Sequence, residues 1–270
     1  MAESKIERLD SLLISLKSIV VAFSGGVDSS FLLHRAASIN SVEVLGVTIR
    51  TPYIPKIEID DAVEFTRSYG IRHKIIDLQF PEAVRENPPE RCYICKKSLF
   101  SELISFAGQN GYTHVVDGTN ADDGKEYRPG LKALAELSVR SPLLEAGLGK
   151  AEIRELSNLE GLPVWNKPAL ACLLTRIPYN IKVSEKRLRM IENAEKLLFD
   201  LGLPGSRVRV HDDLARIECP QEKFDQLIHN PVKDQVIDYF KRLGFKYISL
   251  DLEGYRTGSF KTNSRNHDQE

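Results

Sequence analysis

Residues 19–31 read IVVAFSGGVDSSF, a sequence typical of a buried strand, a loop and a helix in succession. Five apolar residues, typical of a strand buried on both faces, run directly into a glycine-containing loop, and a helical pattern follows. In that position the loop presents backbone N–H groups and a helix N-terminus to an anion, and adjacent glycines let the backbone approach a phosphate closely. The stretch lacks the lysine and spacing of a Walker A loop and the spacing of the dinucleotide fingerprint. It therefore predicts a phosphate-binding loop of another type.

The polar and glycine residues of this loop are candidates for holding a polyphosphate ligand. Asp28 is predicted to hold Mg²⁺ against the polyphosphate, because a hard cation prefers carboxylate and phosphate oxygens. A second segment, Asp117-Gly118-Thr119-Asn120, ends a later predicted strand, and open α/β sheets build their sites at the carboxyl ends of strands. The alternative interpretations are structural: a turn capped by Ser29, and an Asx turn at residues 117–120. The candidate phosphate-binding residues are Ser24, Gly25, Gly26, Asp28, Ser29 and Gly118.

Apolar, β-rich stretches alternate with helical ones along the first part of the chain. The strand candidates read as nearly continuous apolar runs, as a sheet covered on both faces requires. The alternation predicts an α/β domain around a parallel sheet, preceded by an amphipathic helix between Ile6 and Leu16. The predicted strands are Ile19–Phe23, Val42–Ile49, Lys74–Leu78 and His114–Asp117, and the predicted helices are Phe31–Ala37, Ile59–Tyr69, Lys96–Phe106, Leu131–Leu137 and Lys150–Leu159.

An irregular segment containing Pro168 and Pro178 predicts a domain boundary, and a small α+β domain follows it. In that domain, the polar turn His211-Asp212-Asp213 predicts a β-hairpin. Its predicted helices are Ser184–Leu201, Gln221–Ile228 and Pro231–Leu243, and its predicted strands are Arg207–Val210, Leu214–Cys219 and Tyr247–Leu252. The expected segments are the α/β domain at 1–165, an active-site linker carrying Cys172 at 166–182, the small domain at 183–257 and a frayed tail at 258–270.

The composition is that of an ordinary globular protein. Of 270 residues 42% are apolar, and 37 Lys and Arg nearly balance 38 Asp and Glu, for a formal net charge of −1. These values exclude a disordered, collagenous or coiled-coil chain and argue against bulk nucleic-acid binding. The apolar runs are far shorter than the roughly 18 residues of a membrane span, and the first residues do not resemble a secretory signal. We therefore expect a cytoplasmic protein that contacts no nucleic acid and no membrane.

Four cysteines in a reducing compartment are candidates for metal or redox chemistry rather than for disulfides. Cys92 and Cys95 form a CxxC pair, and Cys172 could supply a third thiolate. Three thiolates leave one iron of a four-iron cluster open to an exogenous sulfide, whereas a structural zinc site usually takes four ligands, with Cys219 as the fourth. Against zinc, Cys219 alternates with charged residues on a predicted strand and could pack as a small hydrophobic side chain. The last alternative is a pair of unligated thiols at a helix start.

Seven short motifs together carry a resemblance to a known family. They are SGGVDS at 24–29, YRPG at 127–130, WNK at 165–167, Cys172 with RIPY at 176–179, RVR at 207–209, ARIE at 215–218 and LGFKY at 243–247. In order and spacing the chain resembles the LarE family of ATP-dependent sulfur transferases over nearly its whole length. The resemblance implies an N-terminal PP-loop ATP pyrophosphatase domain, a C-terminal substrate and oligomerisation domain, a homo-oligomer, and a role in making the nickel-pincer nucleotide cofactor.

The substrate implied by the resemblance is pyridinium-3,5-biscarboxylic acid mononucleotide, whose carboxylates become thiocarboxylates. ATP with Mg²⁺ would adenylate each carboxylate with loss of pyrophosphate, and a sulfur nucleophile would then displace AMP. Cys172 matches the position at which single-cysteine members give up their own sulfur. With Cys92 and Cys95 the chain resembles a three-cysteine branch instead, which implies a 4Fe-4S cluster on these three cysteines that delivers a replaceable sulfide. The implied partners are a sulfide or another sulfur donor and a nickel-inserting protein downstream.

Further positions match the family near its substrate. Arg176 could bind a phosphate of ATP or of the substrate bidentately, and Arg207 and Arg209, on one face of a strand, are assigned to the substrate's 5′-phosphate. The alternative for these residues is a surface ion pair or a solvated strand face, and plain surface is the favoured interpretation of Lys96 and Lys97, beside the CxxC pair. The complete set of substrate candidates is Arg176, Arg207, Arg209, Glu195 and Glu218.

Three other functions remain open on the sequence alone. A tRNA thiolase of the same superfamily should carry a basic face or an added RNA-binding module, and the near-neutral charge argues against it. An amidating or nitrile-forming PP-loop enzyme could use the cysteines as a zinc staple. A non-catalytic nucleotide sensor could keep the two glycines but would need neither Asp28 nor three cysteines.

Overall fold

The computed structural model describes residues 4–123, 129–168 and 171–256. Tyr127 and Arg128 of the YRPG motif and the expected frayed tail at 258–270 lie outside the described residues. Within the described ranges, no helix has the length and apolar character needed to cross a membrane.

The chain divides into two compact units. The first comprises Met1–Val84 and Pro89–Leu170, and the second comprises Arg85–Pro88 and Ala171–Glu270. The short piece before Pro89 belongs to the second unit because the Asn87 side chain donates hydrogen bonds to the carbonyls of Ile177 and Pro178, each at 2.9 Å.

The first unit is an α/β fold around a fully parallel four-stranded sheet, as the alternating pattern predicts. The sheet order is β3-β2-β1-β4. The strands are β1 Ser18–Ala22, β2 Glu43–Arg50, β3 His73–Asp77 and β4 His114–Val116, and the helices are α1 Lys5–Leu16, α2 Val27–Ala37, α3 Lys56–Ser68, α4 Arg91–Gln109, α5 Pro129–Glu136, α6 Pro142–Glu145 and α7 Lys150–Leu159.

Strand β1 lies at the centre of the sheet and is buried on both faces. Its residues Ile19 and Val21 belong to one apolar cluster with α1, α2 and α3, and Val20 belongs to a second cluster with α4 and α5. Strands β2 and β4 flank β1 on opposite sides. The chain order therefore switches direction at β1, and the loops that leave the carboxyl ends of β1 and β4 bound the crevice in which such sheets bind ligands.

Among the helices of the first unit, α2 and α4 differ most from their predicted starting residues. Helix α2 begins at Val27, directly after the glycine loop, and α4 begins at Arg91 rather than at Lys96. The first residues of α4 bury only Arg91, so they contribute no apolar periodicity from which a helix could be predicted. As a result, Cys92 and Cys95 lie one turn apart at the beginning of α4.

The second unit is a small α+β fold with a three-stranded sheet in the order β5-β6-β7. The predicted hairpin is confirmed: β5 pairs antiparallel with β6, and Asp212 in the turn has a φ of 51°. Strand β7 adds in parallel to β6. The elements are α8 Glu185–Asp200, β5 Arg207–His211, β6 Leu214–Glu218, α9 Phe224–Ile228, α10 Val232–Leu243 and β7 Tyr247–Leu250.

Candidate functional site

Two glycines allow the close backbone approaches that shape the crevice. Gly25 has a φ of +71°, and a Cβ at this position would lie 3.2 Å from the backbone N of Ala62 and from the Glu58 carbonyl oxygen. A Cβ at Gly118 would lie 2.9 Å from the backbone N of Ser29. The loop after β4 therefore lies directly against the first turn of α2, and only a residue without a side chain allows this approach.

Serine hydroxyls close the glycine loop. The Ser29 hydroxyl donates to the Gly26 carbonyl at 3.2 Å and lies 3.1 Å from the Ser24 hydroxyl. Helix α2 begins after Gly26, which has no side chain to cap it. The helix N-terminus, with its uncapped N–H groups, is therefore suited to an anion.

The loop after β4 is held by its own polar side chains. The buried Asp117 carboxylate accepts hydrogen bonds from the Thr119 hydroxyl at 2.5 Å and from the Ser141 hydroxyl at 2.6 Å. Asn120 accepts from the backbone N–H of Asp122 at 2.9 Å, as in an Asx turn. The turn interpretation is therefore compatible with the site interpretation, since the same turn forms one wall of the crevice.

A cavity of about 410 Å³ lies between the two loops, within the volume range of small-molecule sites. It lies wholly in the first unit. Gly25 shapes the loop but does not line the cavity. Of the candidate phosphate-binding residues, those that line it are Ser24, Gly26, Asp28, Ser29 and Gly118.

The two oxygens of the Asp28 carboxylate have different surroundings in the cavity. Its Oδ2 accepts from the Lys150 ammonium at 2.6 Å and from the Asn120 amide at 3.4 Å. Its Oδ1 is buried and accepts no hydrogen bond from any residue that the structure describes. A buried carboxylate oxygen without a donor is a suitable ligand for a hard cation, so the residues fit the expected Mg²⁺.

Lysine side chains line the cavity and make its wall positively charged. For two of them, Lys150 and Lys167, the sequence alone predicts no role. Lys150 begins α7, and Lys167 donates to the Gly25 carbonyl at 3.0 Å and pairs with Asp61 at 2.7 Å. Lys167 belongs to the WNK motif, but nothing in that motif predicts its contact with the glycine loop. Lys96, for which plain surface is the favoured interpretation, lines the cavity too.

Lys97, by contrast, lies in a surface cluster. Its ammonium is 2.7 Å from the Glu136 carboxylate and 2.9 Å from the Tyr93 hydroxyl, and these two hydrogen bonds raise the pKa of Lys97, the one to Glu136 most. Lys97 does not line the cavity, which agrees with the surface interpretation of this residue.

The CxxC thiols differ in exposure. Cys92 is exposed, and the partly buried Cys95 sulfur lies 3.2 Å from the hydroxyl of the buried Tyr53. Cys95 directly precedes Lys96, so α4 carries the thiol pair and part of the cavity wall in consecutive turns.

The other two cysteines belong to the second unit. Cys172 is partly exposed and precedes a 3₁₀ turn at Leu173–Arg176. Cys219 is buried, and burial raises the pKa of its thiol to about 11. Among the described residues, no three His, Cys, Asp or Glu side chains are grouped as they would be around a metal ion.

The five substrate candidates of the second unit lie in one buried network of charges. Arg176 is 1% exposed and forms a bidentate pair with Glu195, at 2.8 and 2.9 Å. Its remaining donors reach the Ala171 carbonyl and the Thr175 hydroxyl, both at 2.8 Å, and the Cys172 carbonyl at 3.3 Å. Burial opposes the charge of Arg176, but hydrogen bonding to Glu195 raises the pKa of the guanidinium overall. The pair therefore holds the backbone on both sides of Cys172.

Glu218 is the second acidic centre of this network and is fully buried. It accepts from Arg209 and from Arg216, each at 3.0 Å. Arg207 lies over the Tyr255 ring at 5.3 Å, and burial, with the nearby Arg176, lowers the pKa of its guanidinium. The buried groups of the network are Arg176, Arg207, Arg209 and Glu218, and its partly buried members are Glu195, Arg216 and Asp251.

Comparisons with known proteins give two relatives over nearly the whole chain and further relatives over part of it. A pyridinium-3,5-bisthiocarboxylic acid mononucleotide synthase of Lactiplantibacillus plantarum is 36% identical over 259 residues, covering 94% of this chain and 93% of that protein. An uncharacterized protein of Synechocystis sp. is 38% identical over 261 residues, covering 96% and 97%. A tRNA-specific 2-thiouridylase of Rickettsia rickettsii is 31% identical, but the alignment covers 56% of this chain and 52% of that protein. No family model matches the chain.

Proposed function

The chain belongs to the LarE family of ATP-dependent sulfur transferases, and we propose that its substrate is pyridinium-3,5-biscarboxylic acid mononucleotide, whose carboxylates it converts to thiocarboxylates. The observation that carries this proposal is the cavity at the ends of β1 and β4, where a glycine loop and the partly buried Asp28 carboxylate meet Lys150 and Lys167. One oxygen of that carboxylate is buried and accepts no hydrogen bond from the described residues. That combination suits a triphosphate bound with a divalent cation.

The first step is adenylation of a substrate carboxylate. A carboxylate is a poor acyl electrophile, so one of its oxygens attacks the α-phosphorus of ATP, the bond from the α-phosphorus to the bridging oxygen breaks, and pyrophosphate leaves. The start of α2 and the lysines Lys150 and Lys167 would stabilise the charge on the phosphates, and Asp28 would hold Mg²⁺. Bound there, Mg²⁺ would neutralise the polyphosphate and orient it.

The second step is transfer of sulfur. A sulfur nucleophile adds to the acyl carbon, the carbon–oxygen bond to AMP breaks, and AMP leaves. Cys172 stands at the donor position of the family, and its backbone is held by Arg176. We assign Cys92, Cys95 and Cys172 to a 4Fe-4S cluster, which would supply a replaceable sulfide. Exposure supports this choice of donors, because these three thiols are at least partly exposed whereas Cys219 is buried.

The buried network of the second unit is proposed to receive the nucleotide part of the substrate. Arg207 and Arg209 lie on the same face of β5, and with them the network holds four guanidinium groups against three carboxylates. A phosphate would balance that excess. A homo-oligomer, a cytoplasmic location with reduced thiols, and a downstream nickel-inserting partner complete the proposal.

Pyrophosphate release tests the first step. Purified protein with Mg-ATP and the biscarboxylated pyridinium nucleotide should release pyrophosphate, and Asp28→Ala should reduce the rate by roughly 100-fold or more. Asp200→Asn is the matched control, because this exposed aspartate also pairs with a lysine, Lys196, at 2.7 Å. If the wild-type protein releases no more pyrophosphate than Asp28→Ala, the proposal is wrong. Release with tRNA but not with the pyridinium nucleotide would favour a tRNA thiolase.

The cysteine variants test the second step. Cys172→Ala should still release pyrophosphate but form no thiocarboxylate, whereas Cys219→Ala should do both. Protein purified without oxygen should contain about four irons per chain, with acid-labile sulfide, and should lose them in Cys92→Ala, Cys95→Ala and Cys172→Ala but not in Cys219→Ala. Zinc without iron would overturn the cluster assignment, and iron retained in Cys172→Ala would overturn its ligand set.

A further inference from the structure

The Lys150 ammonium contacts the same aspartate that we assign to the metal. Lys150 Nζ lies 2.6 Å from Asp28 Oδ2, and the lysine and aspartate side chains are 35% and 20% exposed. The two charged groups are therefore close enough to form an ion pair, and they are exposed enough for the lysine side chain to move. Both residues line the cavity.

The backbone of Lys150 is fixed by the loop after β4. Its N–H donates to Asp122 Oδ2 at 2.8 Å, and Asp122 is in turn held by the Asn120 side chain. A Cβ at Gly149 would lie 2.9 Å from the same Asp122 oxygen, so the start of α7 is tightly packed against this loop. The attachment point of the side chain is thus fixed, and its four-carbon stem carries the mobile charge.

The two oxygens of Asp28 are in different states. Oδ2 is occupied by Lys150, whereas Oδ1 is buried and accepts no hydrogen bond from the described part of the chain. A divalent cation at this carboxylate would repel the adjacent ammonium, because both are cations. Bound phosphates would offer that ammonium new oxygens within the same cavity.

We propose that Lys150 is a placeholder cation that neutralises Asp28 while the cavity holds no nucleotide and moves to the polyphosphate when Asp28 takes up the metal. This inference rests on the proposed function. In the empty cavity Lys150 competes with a divalent cation for Asp28. In the loaded cavity its ammonium stabilises the negative charge that collects on the departing pyrophosphate. Loss of the lysine charge should therefore strengthen metal binding in the empty cavity and slow pyrophosphate release in the loaded one. A purely structural role of Lys150 does not predict these opposite effects.

Mn²⁺ binding in the absence of nucleotide, followed by electron paramagnetic resonance, measures the competition directly. Lys150→Met should tighten Mn²⁺ binding by roughly two- to fivefold, the factor that corresponds to a partly exposed ion pair. The same variant should lower the rate of pyrophosphate release by roughly 100-fold. Lys150→Arg keeps the charge and should bind Mn²⁺ no more tightly than the wild type while recovering part of the rate.

Lys5→Met is the matched control. Lys5 also contacts a carboxylate at 2.7 Å, that of Glu152 on α7, but it lies outside the cavity, so neither readout should change. Weaker Mn²⁺ binding in Lys150→Met would mean that the lysine only orients Asp28, and equal or unmeasurable binding in wild type and variant would overturn the competition as well. Failure of the proposed function is distinguishable, because it would abolish pyrophosphate release in the wild type without affecting the Mn²⁺ comparison.

Discussion

The two units of the molecule treat their charged residues in opposite ways. In the second unit, carboxylates and guanidinium groups are buried together and satisfy one another, as in the bidentate pair of Arg176 and Glu195. In the cavity of the first unit, Asp28 has one paired oxygen and one buried oxygen that accepts no hydrogen bond from the described residues. Glu195 and Glu218 of the network are satisfied within the protein, whereas the cavity is completed by what it binds.

This difference separates carboxylates that stabilise the fold from one that is reserved for chemistry. A buried ion pair is strongly destabilised when one partner is removed, because the other charge is left in the interior. A buried polar group without a hydrogen bond at a binding site lowers the stability of the folded protein. Removing that group therefore changes function more than it changes the free energy of unfolding. Substitutions in the two units should therefore affect different measurements.

The largest effect on stability is expected from Glu218→Gln. The change leaves Arg209 and Arg216 facing a neutral amide in a fully buried position, and it should lower the free energy of unfolding by about 3 kcal/mol. Denaturant unfolding followed by circular dichroism measures it. The control is Glu185→Gln, since Glu185 pairs with Arg189 at 3.3 Å on the surface and should contribute less than about 1 kcal/mol. Equal effects of the two changes would contradict the comparison.

The next effect is on catalysis in the first unit. In Gly118→Ala the new Cβ would lie 2.9 Å from the backbone N of Ser29, so the two loops must move apart. A displacement of this kind at a reacting centre costs about 100-fold in rate, and we expect that loss in pyrophosphate release. Gly108→Ala is the control, because nothing lies within 4 Å of a Cβ there and alanine favours the α4 helix. Wild-type rates in Gly118→Ala would mean that the close approach is not needed.

The fold could be predicted largely from sequence, because its central strands are continuous apolar runs that alternate with helices. The glycine loop and the hairpin of the second unit have local signals of their own, and Ser184 caps α8 by accepting from the Arg187 N–H at 3.2 Å. These features depend on residues close together in the chain. Short-range patterns are therefore sufficient for them.

The remaining features depend on contacts between distant residues. Lys150 and Asp28 are far apart in sequence, and a lysine at a helix start is indistinguishable from a solvated one until the fold brings the two together. Asn87 joins the second unit through hydrogen bonds with residues about 90 positions away, among them the carbonyls of Ile177 and Pro178. Arg176 could be assigned to a phosphate or to a surface pair, but its burial against Glu195 has no periodic signal.

A smaller difference between the two units is expected in the reactivity of their cysteines. Burial raises the pKa of Cys219 to about 11, whereas Cys92 is exposed. Because the thiolate is the nucleophile, iodoacetamide at pH 8 should alkylate Cys92 of the iron-free protein at least about tenfold faster than Cys219, as mass spectrometry of the peptides would measure. Equal rates would mean that the second unit opens as readily as the start of α4.

The Cys219 thiol should also make the free energy of unfolding depend on pH. Its pKa in the folded chain lies above the ordinary value of 9.0, so its contribution to stability is complete below about pH 9 and is lost as the pH rises toward 11. Cys219→Ala should accordingly flatten the decline of unfolding free energy between pH 9 and 11, measured by urea denaturation. An unchanged slope in this window would contradict the assignment of the high pKa to burial of Cys219.

The smallest effect on stability is expected where the effect on function is large. Asp28→Asn removes a charge whose Oδ1 lacks a hydrogen bond among the described residues, but the amide oxygen can still accept from Lys150. Because the lost ion pair is partly exposed, the free energy of unfolding should stay within about 1 kcal/mol of the wild type. Denaturant unfolding without nucleotide and pyrophosphate release on the same preparation provide the two readouts. If Asp28→Asn destabilised the chain as much as Glu218→Gln, Asp28 would be part of the folded framework, and the distinction between the satisfied carboxylates of the second unit and the incomplete cavity would not hold.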